Sequence, residues 1–101
     1  MIYLTQIIYL KPGQEDVFNE FESIALPAME RYQGKLLMRI RPTADQFIEG
    51  SMAPPHEIHL VSFPGDEDLM GFLKDKQRQE YLHLKEQSIE SSLIYKGVQY
   101  P

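Results

Sequence analysis

The sequence predicts an α+β protein in which one antiparallel sheet of four strands carries the helices on a single face. Three observations support this fold class. Residues 2–10 and 56–63 have the composition of strands, and each is followed by a turn containing proline and glycine. Residues 14–32 repeat apolar side chains with the period of an amphipathic helix. The complete order of elements is β-α-β-β-α-β, which is the ferredoxin-like topology.

The length, charge and composition favour one soluble domain spanning residues 1–101. The formal net charge of −5 argues against nucleic-acid binding, which needs a concentrated basic surface. Cysteine is absent, which excludes disulfides, thiolate catalysis and thiolate metal sites. The N-terminal residues have the composition of a strand and not of a signal peptide, and no apolar run approaches the ~18 residues of a membrane span. We therefore expect a cytoplasmic protein with no membrane partner.

The first strand and the first helix have clear apolar faces. In residues 2–10, Ile8 and its even-numbered neighbours lie on one face and Tyr3, Ile7 and Tyr9 on the other, with Gln6 interrupting the even face. The helix over 14–32 places Phe18 and Phe21 at the centre of its apolar stripe. Its glutamates, including Glu22, are assigned to the polar face, and Pro27 predicts a kink or a short break.

The first strand of the central hairpin has apolar side chains on one face and arginines on the other. In residues 35–41, Leu36, Met38 and Ile40 share one face, which we expect to pack on the helices, and Arg39 and Arg41 share the other. The strand is expected to resume over 46–49 and to return through a Pro-Pro loop into residues 56–63. A short helix after Pro64-Gly65, a second helical piece over 77–91 and a last strand over 93–99 complete the chain.

Two strands are apolar on both faces, although two helices can cover only one face of a sheet. Residues 2–10 and 56–63 both have this pattern. We therefore expect the second face to be covered by another copy of the chain in a homodimer.

Several turns resemble those of the dimeric α+β barrel superfamily, in particular a small branch of unknown function related to antibiotic-biosynthesis-monooxygenase-like proteins. The resemblance covers nearly the whole chain and rests on Lys11-Pro12-Gly13-Gln14-Glu15, Tyr32-Gln33-Gly34-Lys35, Ile48-Glu49-Gly50 and Phe63-Pro64-Gly65. It implies a two-fold dimer whose open sheet faces close a barrel. It also implies a site for small organic molecules inside that barrel, without a metal or an organic cofactor. Ser62 stands where that branch often has a glutamate, so any role of that glutamate is not carried over.

Five polar side chains besides Tyr3 are candidates for this site. Arg39 and Arg41 can hold a small organic anion by paired hydrogen bonds, or can instead be neutralised by Glu49 or Glu57. His56 and His59 are candidate catalytic groups because an imidazole titrates near pH ~6.5. Their spacing on a strand predicts opposite faces, so a shared metal is not expected. Tyr3 is a candidate ligand-binding residue on the same face as the arginines, with Glu49 near the hairpin.

Two functions remain open at the level of sequence. The first is a small-molecule-binding protein or a cofactor-free enzyme of the isomerase or monooxygenase kind, with its site inside the dimer barrel. The second is a non-catalytic dimeric module whose barrel is fully packed. A polar pocket favours the first function, and an interior closed by side chains such as Tyr3, Ile7 and Leu37 favours the second.

Overall fold

A computed structural model describes residues 1–101 and has four strands and four α-helices. The elements are β1 (Ile2–Leu10), α1 (Glu15–Ala28), β2 (Lys35–Ile40), β3 (Glu57–Phe63), α2 (Asp66–Leu73), α3 (Lys76–Glu80), α4 (Leu82–Ser88) and β4 (Ile89–Gly97). The strands form one antiparallel sheet in the order β2-β3-β1-β4. The predicted ferredoxin-like α+β fold is thus confirmed.

Three predictions about individual elements are wrong: one strand is absent, one helix is divided, and one strand begins earlier. No strand forms over 46–49, because Thr43 begins a short 3-10 turn, Ala44–Gln46, with a reciprocal capping box. The second helical piece is split into α3 and α4, and Asp75 begins α3 by accepting a hydrogen bond from the Arg78 backbone N–H at 2.9 Å. The last strand begins at Ile89, directly after α4 ends at Ser88, whereas the sequence predicted a start at residue 93.

The core lies between α1 and the sheet. Phe18, Phe21, Ala25 and Ala28 are all buried along one stripe of α1, as the periodicity predicted. Leu84 of α4 packs against Phe21 and Ala25. The helix continues through Pro27 to Ala28 and tightens into a 3-10 turn only at Met29, so the predicted break at the proline does not occur.

A bulge in β2 reverses the predicted orientation of most of that strand. Leu36 pairs with Val61, but Met38 pairs with Leu60 and Arg39 with His59, so Leu37 is an additional residue in the ladder. A residue inserted in this way exchanges the two faces of the strand beyond it. Leu36 therefore keeps the helix side as expected, but Met38 and Ile40 lie on the open side. The expectation that Arg39 and Arg41 point away from the helices is wrong.

The face of the sheet that no helix covers is mainly apolar. Met38, Ile40, Leu93 and Tyr95 each keep between 37% and 59% of their surface exposed. Tyr3, Ile7, Ile58 and Leu60 share this face through the ladder pairings. We call this set of eight side chains the open face. None of the helices is both long and apolar enough to cross a membrane.

Candidate functional site

A cavity of about 130 Å³ lies between the helices and the covered face of the sheet. Most of its wall is apolar, with Phe21, Phe63 and Phe72 among the lining side chains. Five polar side chains also line it: Gln6, Glu22, His59, Arg78 and Lys85. The combination of an apolar wall with a few convergent polar groups is typical of small-molecule sites.

Each polar group reaches the cavity from a different part of the fold. Gln6 and His59 are ladder partners on β1 and β3 and share the helix side of the sheet. Glu22 follows Phe21 on α1 and lies one turn after Phe18, so it belongs to the buried stripe of that helix. Arg78 and Lys85 come from α3 and α4. The site therefore depends on the packing of both helical regions on the sheet.

Glu57 forms a buried ionic cluster beside this cavity. Its side chain is fully buried, and its two carboxylate oxygens accept hydrogen bonds from Arg39 Nε and Arg41 Nε at 2.7 Å each. His59 Nε2 contacts the same carboxylate. Burial opposes ionisation of Glu57, but the hydrogen bonds from the arginines and His59 outweigh it and lower its pKa to about 2. Glu57 is therefore an anion at neutral pH.

This cluster fixes the tautomer of His59. Burial lowers the pKa of His59 more than the hydrogen bond to Glu57 raises it, so the ring is neutral near pH ~7. An ionised carboxylate can only accept a hydrogen bond, so Nε2 must carry the proton. The lone pair of the ring is then on Nδ1, since the hydrogen bond of the ring to Glu57 is made by Nε2. The carboxylate of Glu57 thus holds the imidazole in one orientation and one tautomer.

Glu22 is a buried carboxyl group without a partner. Only 6% of its surface is exposed, and it forms neither a hydrogen bond nor an ion pair with the protein. Burial raises its pKa to about 7, although the positive charge of Arg39 acts in the opposite direction. Glu22 is therefore present in both protonation states at neutral pH. A group of this kind can donate a proton as well as accept one.

The arginines and histidines predicted from the sequence lie away from the open face. Arg39 and Arg41 turn toward the helices and both donate to Glu57, and Arg41 also donates to Asn19 Oδ1 of α1 at 2.7 Å. The prediction that His56 and His59 face opposite sides is wrong as well. His56 precedes β3, so strand alternation does not apply to it, and its ring packs edge-on against Phe18 of α1. Only His59 lines the cavity.

Tyr3 and Glu49 do not join this group. Tyr3 is on the open face, and its hydroxyl donates to Gln99 Oε1 at 3.2 Å. Glu49 is exposed in the loop between β2 and β3. No cluster of three or more His, Asp or Glu side chains has the arrangement of a metal site.

Four of the five polar cavity residues were not identified from the sequence as site residues. Glu22 could have been found, because it lies on the helical stripe of Phe18, Phe21 and Ala25. Gln6 carried a weaker signal as the one polar residue on the inner face of β1. Arg78 and Lys85 carried none, because their positions depend on how α3 and α4 are broken and packed.

Comparison with solved structures supports the fold and not an activity. No protein-family model matches the chain, and no curated protein matches it either. A protein of unknown function from Rhodopseudomonas palustris matches with a TM-score of 0.82 and 14% identity, over 99% of this chain and 83% of that chain. An uncharacterized NIPSNAP domain protein from Burkholderia xenovorans matches with a TM-score of 0.71 and 10% identity, over 99% of this chain and 95% of that chain.

A third similar structure is an antibiotic biosynthesis monooxygenase. Its TM-score is 0.72 at 11% identity, and the match covers 100% of both chains. The resemblance to the antibiotic-biosynthesis-monooxygenase-like branch of α+β barrel proteins is thus confirmed at the level of the fold. At these identities the similarity carries no information on substrate or site residues.

Proposed function

We propose that the chain is a cofactor-free enzyme that moves a proton on a small, mainly apolar organic molecule bound in the cavity between the helices and the sheet. One observation carries this proposal: His59, oriented by Glu57, and the unpartnered Glu22 line the same cavity. The cavity volume of about 130 Å³ suits a ligand of few atoms, since an apolar cavity of ~150 Å³ accepts benzene.

The two groups have complementary roles in this reaction. His59 Nδ1 removes a proton from a carbon next to a carbonyl group, and the electron pair of the C–H bond moves into an enolate. Neutral Glu22 donates its proton to the enolate oxygen. Protonated His59 returns a proton to the same carbon, which gives exchange once its N–H has exchanged with D₂O, or to another carbon conjugated with the enol, which gives an isomer. The enol oxygen returns its proton to Glu22 in the same step, so both groups are restored. The pKa of Glu22, about 7, lies near the working pH, which is the efficient choice for such a proton donor.

Hydrogen–deuterium exchange at carbon tests this proposal without knowledge of the natural substrate. We expect the wild type to accelerate exchange of the C–H next to the carbonyl in methyl isopropyl ketone or α-ketoisovalerate in D₂O, followed by proton NMR. Glu22→Gln and His59→Gln should each slow the exchange by roughly 10²–10⁴-fold, the usual contribution of general acid–base catalysis.

A matched control lies on the same helix. Glu20 is exposed on α1, two residues before Glu22, so Glu20→Gln should leave the exchange rate unchanged. Exchange in the presence of the wild type no faster than with the His59→Gln variant would contradict the proposal. The chain would then be better described as the alternative, a module without chemistry.

We further propose that the open face is covered by a second copy of the chain. Stable monomers rarely expose contiguous apolar patches larger than a few hundred Å². The open face consists of eight apolar or aromatic side chains, and the polar residues on the same side of the sheet are fewer: Thr5, Lys35, Ser62 and Ser91. None of the eight side chains is charged. This supports packing between copies and a separate site on the helix side in each subunit.

Sedimentation equilibrium tests the assembly, and two methionines provide a matched pair. The wild type should have the mass of a homodimer at micromolar concentration. Met38, 44% exposed on the open face, and Met70, 47% exposed on α2, have similar exposure but lie on different sides of the molecule. Met38→Glu should give monomers, and Met70→Glu should leave the dimer intact. A wild-type mass of one chain in this concentration range would rule the dimer out.

A further inference from the structure

We infer that the ligand of this cavity carries a carboxylate, which Arg78 and Lys85 hold while the apolar body of the ligand lies against the aromatic wall. The inference rests on the proposed function for the choice of cavity, but it assigns a chemical class of ligand that the proton-transfer argument leaves open. It also moves the expected anion-binding role from Arg39 and Arg41, whose Nε groups already donate to Glu57, to a different pair of cations.

Arg78 is a buried guanidinium group without an anionic partner. The residue is only 9% exposed, and no carboxylate lies within 4 Å of its side-chain nitrogens. Its one side-chain hydrogen bond is long, 3.4 Å from NH1 to the Leu73 carbonyl oxygen, and its guanidinium carbon is 5.2 Å from the centre of the Phe72 ring. A buried charge is costly unless it is paired. The remaining N–H groups of Arg78 are thus free to donate to a ligand.

The nearby carboxylate of Asp75 does not take this role. Asp75 accepts hydrogen bonds from the side chains of Arg31 and Tyr32 and from the backbone N–H of Arg78. Those contacts fix the start of α3 and leave the guanidinium group of Arg78 directed to the cavity side. Asp75 thus holds Arg78 in position through its backbone and does not neutralise its side chain by contact.

Lys85 provides the second cation. It lines the cavity from α4, is half-buried, and makes no hydrogen bond or ion pair with the protein. The only carboxyl group in the cavity wall is Glu22. Two cations therefore face a single carboxyl group that is itself partly protonated at neutral pH, which leaves the cavity with an excess of positive charge. A carboxylate ligand supplies the missing negative charge and accepts from both cations.

A matched pair of ligands tests the inference through binding alone. Isovalerate and isovaleramide have nearly the same shape, but only isovalerate carries a charge. We expect isovalerate to bind the wild type at least about tenfold more tightly near pH ~7, because charge-assisted hydrogen bonds are roughly twice as strong as neutral ones. Chemical-shift changes in labelled protein should map to the cavity. Lys85→Gln and Arg78→Gln should each reduce the preference, and Lys74→Gln, at an exposed position after α2, should preserve it.

The outcomes separate this inference from the proposed function. Equal affinity of the wild type for the acid and the amide, binding of neither, or a preference that survives both Arg78→Gln and Lys85→Gln would overturn the inference. A preference that Lys85→Gln or Arg78→Gln removes supports it. If that preference is found while the wild type exchanges no C–H hydrogen, the inference stands as a binding site and the catalytic proposal falls. Lys85→Gln alters a half-buried side chain and is the safer variant for folding.

Discussion

Glu22→Gln should raise the free energy of unfolding by about 3 kcal/mol near pH ~8 and leave it nearly unchanged near pH ~4. The reason is that burial raises the pKa of Glu22 from 4.5 to about 7 in the folded chain. Below pH ~4 the carboxyl group is protonated in both states, and glutamine is a close substitute. Above pH ~7 the folded chain must hold a buried carboxylate, and each unit of pKa shift costs about 1.4 kcal/mol.

The sign of this pH dependence follows from the proton count. Between pH 4.5 and about 7 the folded state binds more protons at Glu22 than the unfolded state does, so this group lowers the stability as the pH rises. The charges of Arg39, Arg78 and Lys85 moderate the penalty, and that of Glu57 adds to it. Urea unfolding of wild type and variant across this range measures the effect.

Exposed Glu20 again provides the control, because Glu20→Gln removes a carboxyl group from the same helix without altering the cavity. A Glu22→Gln variant that is no more stable than the wild type near pH ~8 would show that Glu22 reaches water or a cation in the folded chain. A stabilising substitution at a cavity residue would mean that the wild-type carboxyl group is kept at a cost in stability, as is common at functional sites.

Glu57→Gln should have an effect of the opposite sign, a loss of about 2–4 kcal/mol near pH ~7. The variant leaves Arg39 and Arg41 without their shared counterion. Removing one partner of a fully buried pair costs about 3–5 kcal/mol, and the smaller figure applies because the arginines reach water. Their side chains are 31% and 50% exposed, whereas that of Glu57 is fully buried.

The loss should also depend on pH. The pKa of Glu57 is lowered to about 2 from 4.5, so its ionised form contributes stability above pH 4.5 that is lost as the pH falls toward about 2. The difference between wild type and Glu57→Gln in urea unfolding should therefore shrink in acid. Glu49→Gln, at an exposed position before the same strand, should change little at any pH. A Glu57→Gln midpoint equal to that of the wild type would show that the arginines are solvated by water alone.

Local periodicity was sufficient to predict the order of elements and the stripe of α1, because Phe18 and Phe21 recur with the helical period regardless of distant contacts. The orientation of Arg39 could not be predicted in this way. It depends on a bulge that exists only in the pairing of β2 with β3. The cavity could not be predicted from the sequence either. Its polar side chains Glu22, His59, Arg78 and Lys85 come from α1, β3, α3 and α4, and only the packing of these elements brings them together.

Because of the bulge at Leu37, the orientation of the side chains in the second half of β2 depends on the number of residues in the strand and not on their identity. Loss of that one residue would turn Met38 toward the helices and Arg39 toward the open face at the same time. A deletion of Leu37 would thus disrupt both the ionic cluster around Glu57 and the open face, although Leu37 itself belongs to neither.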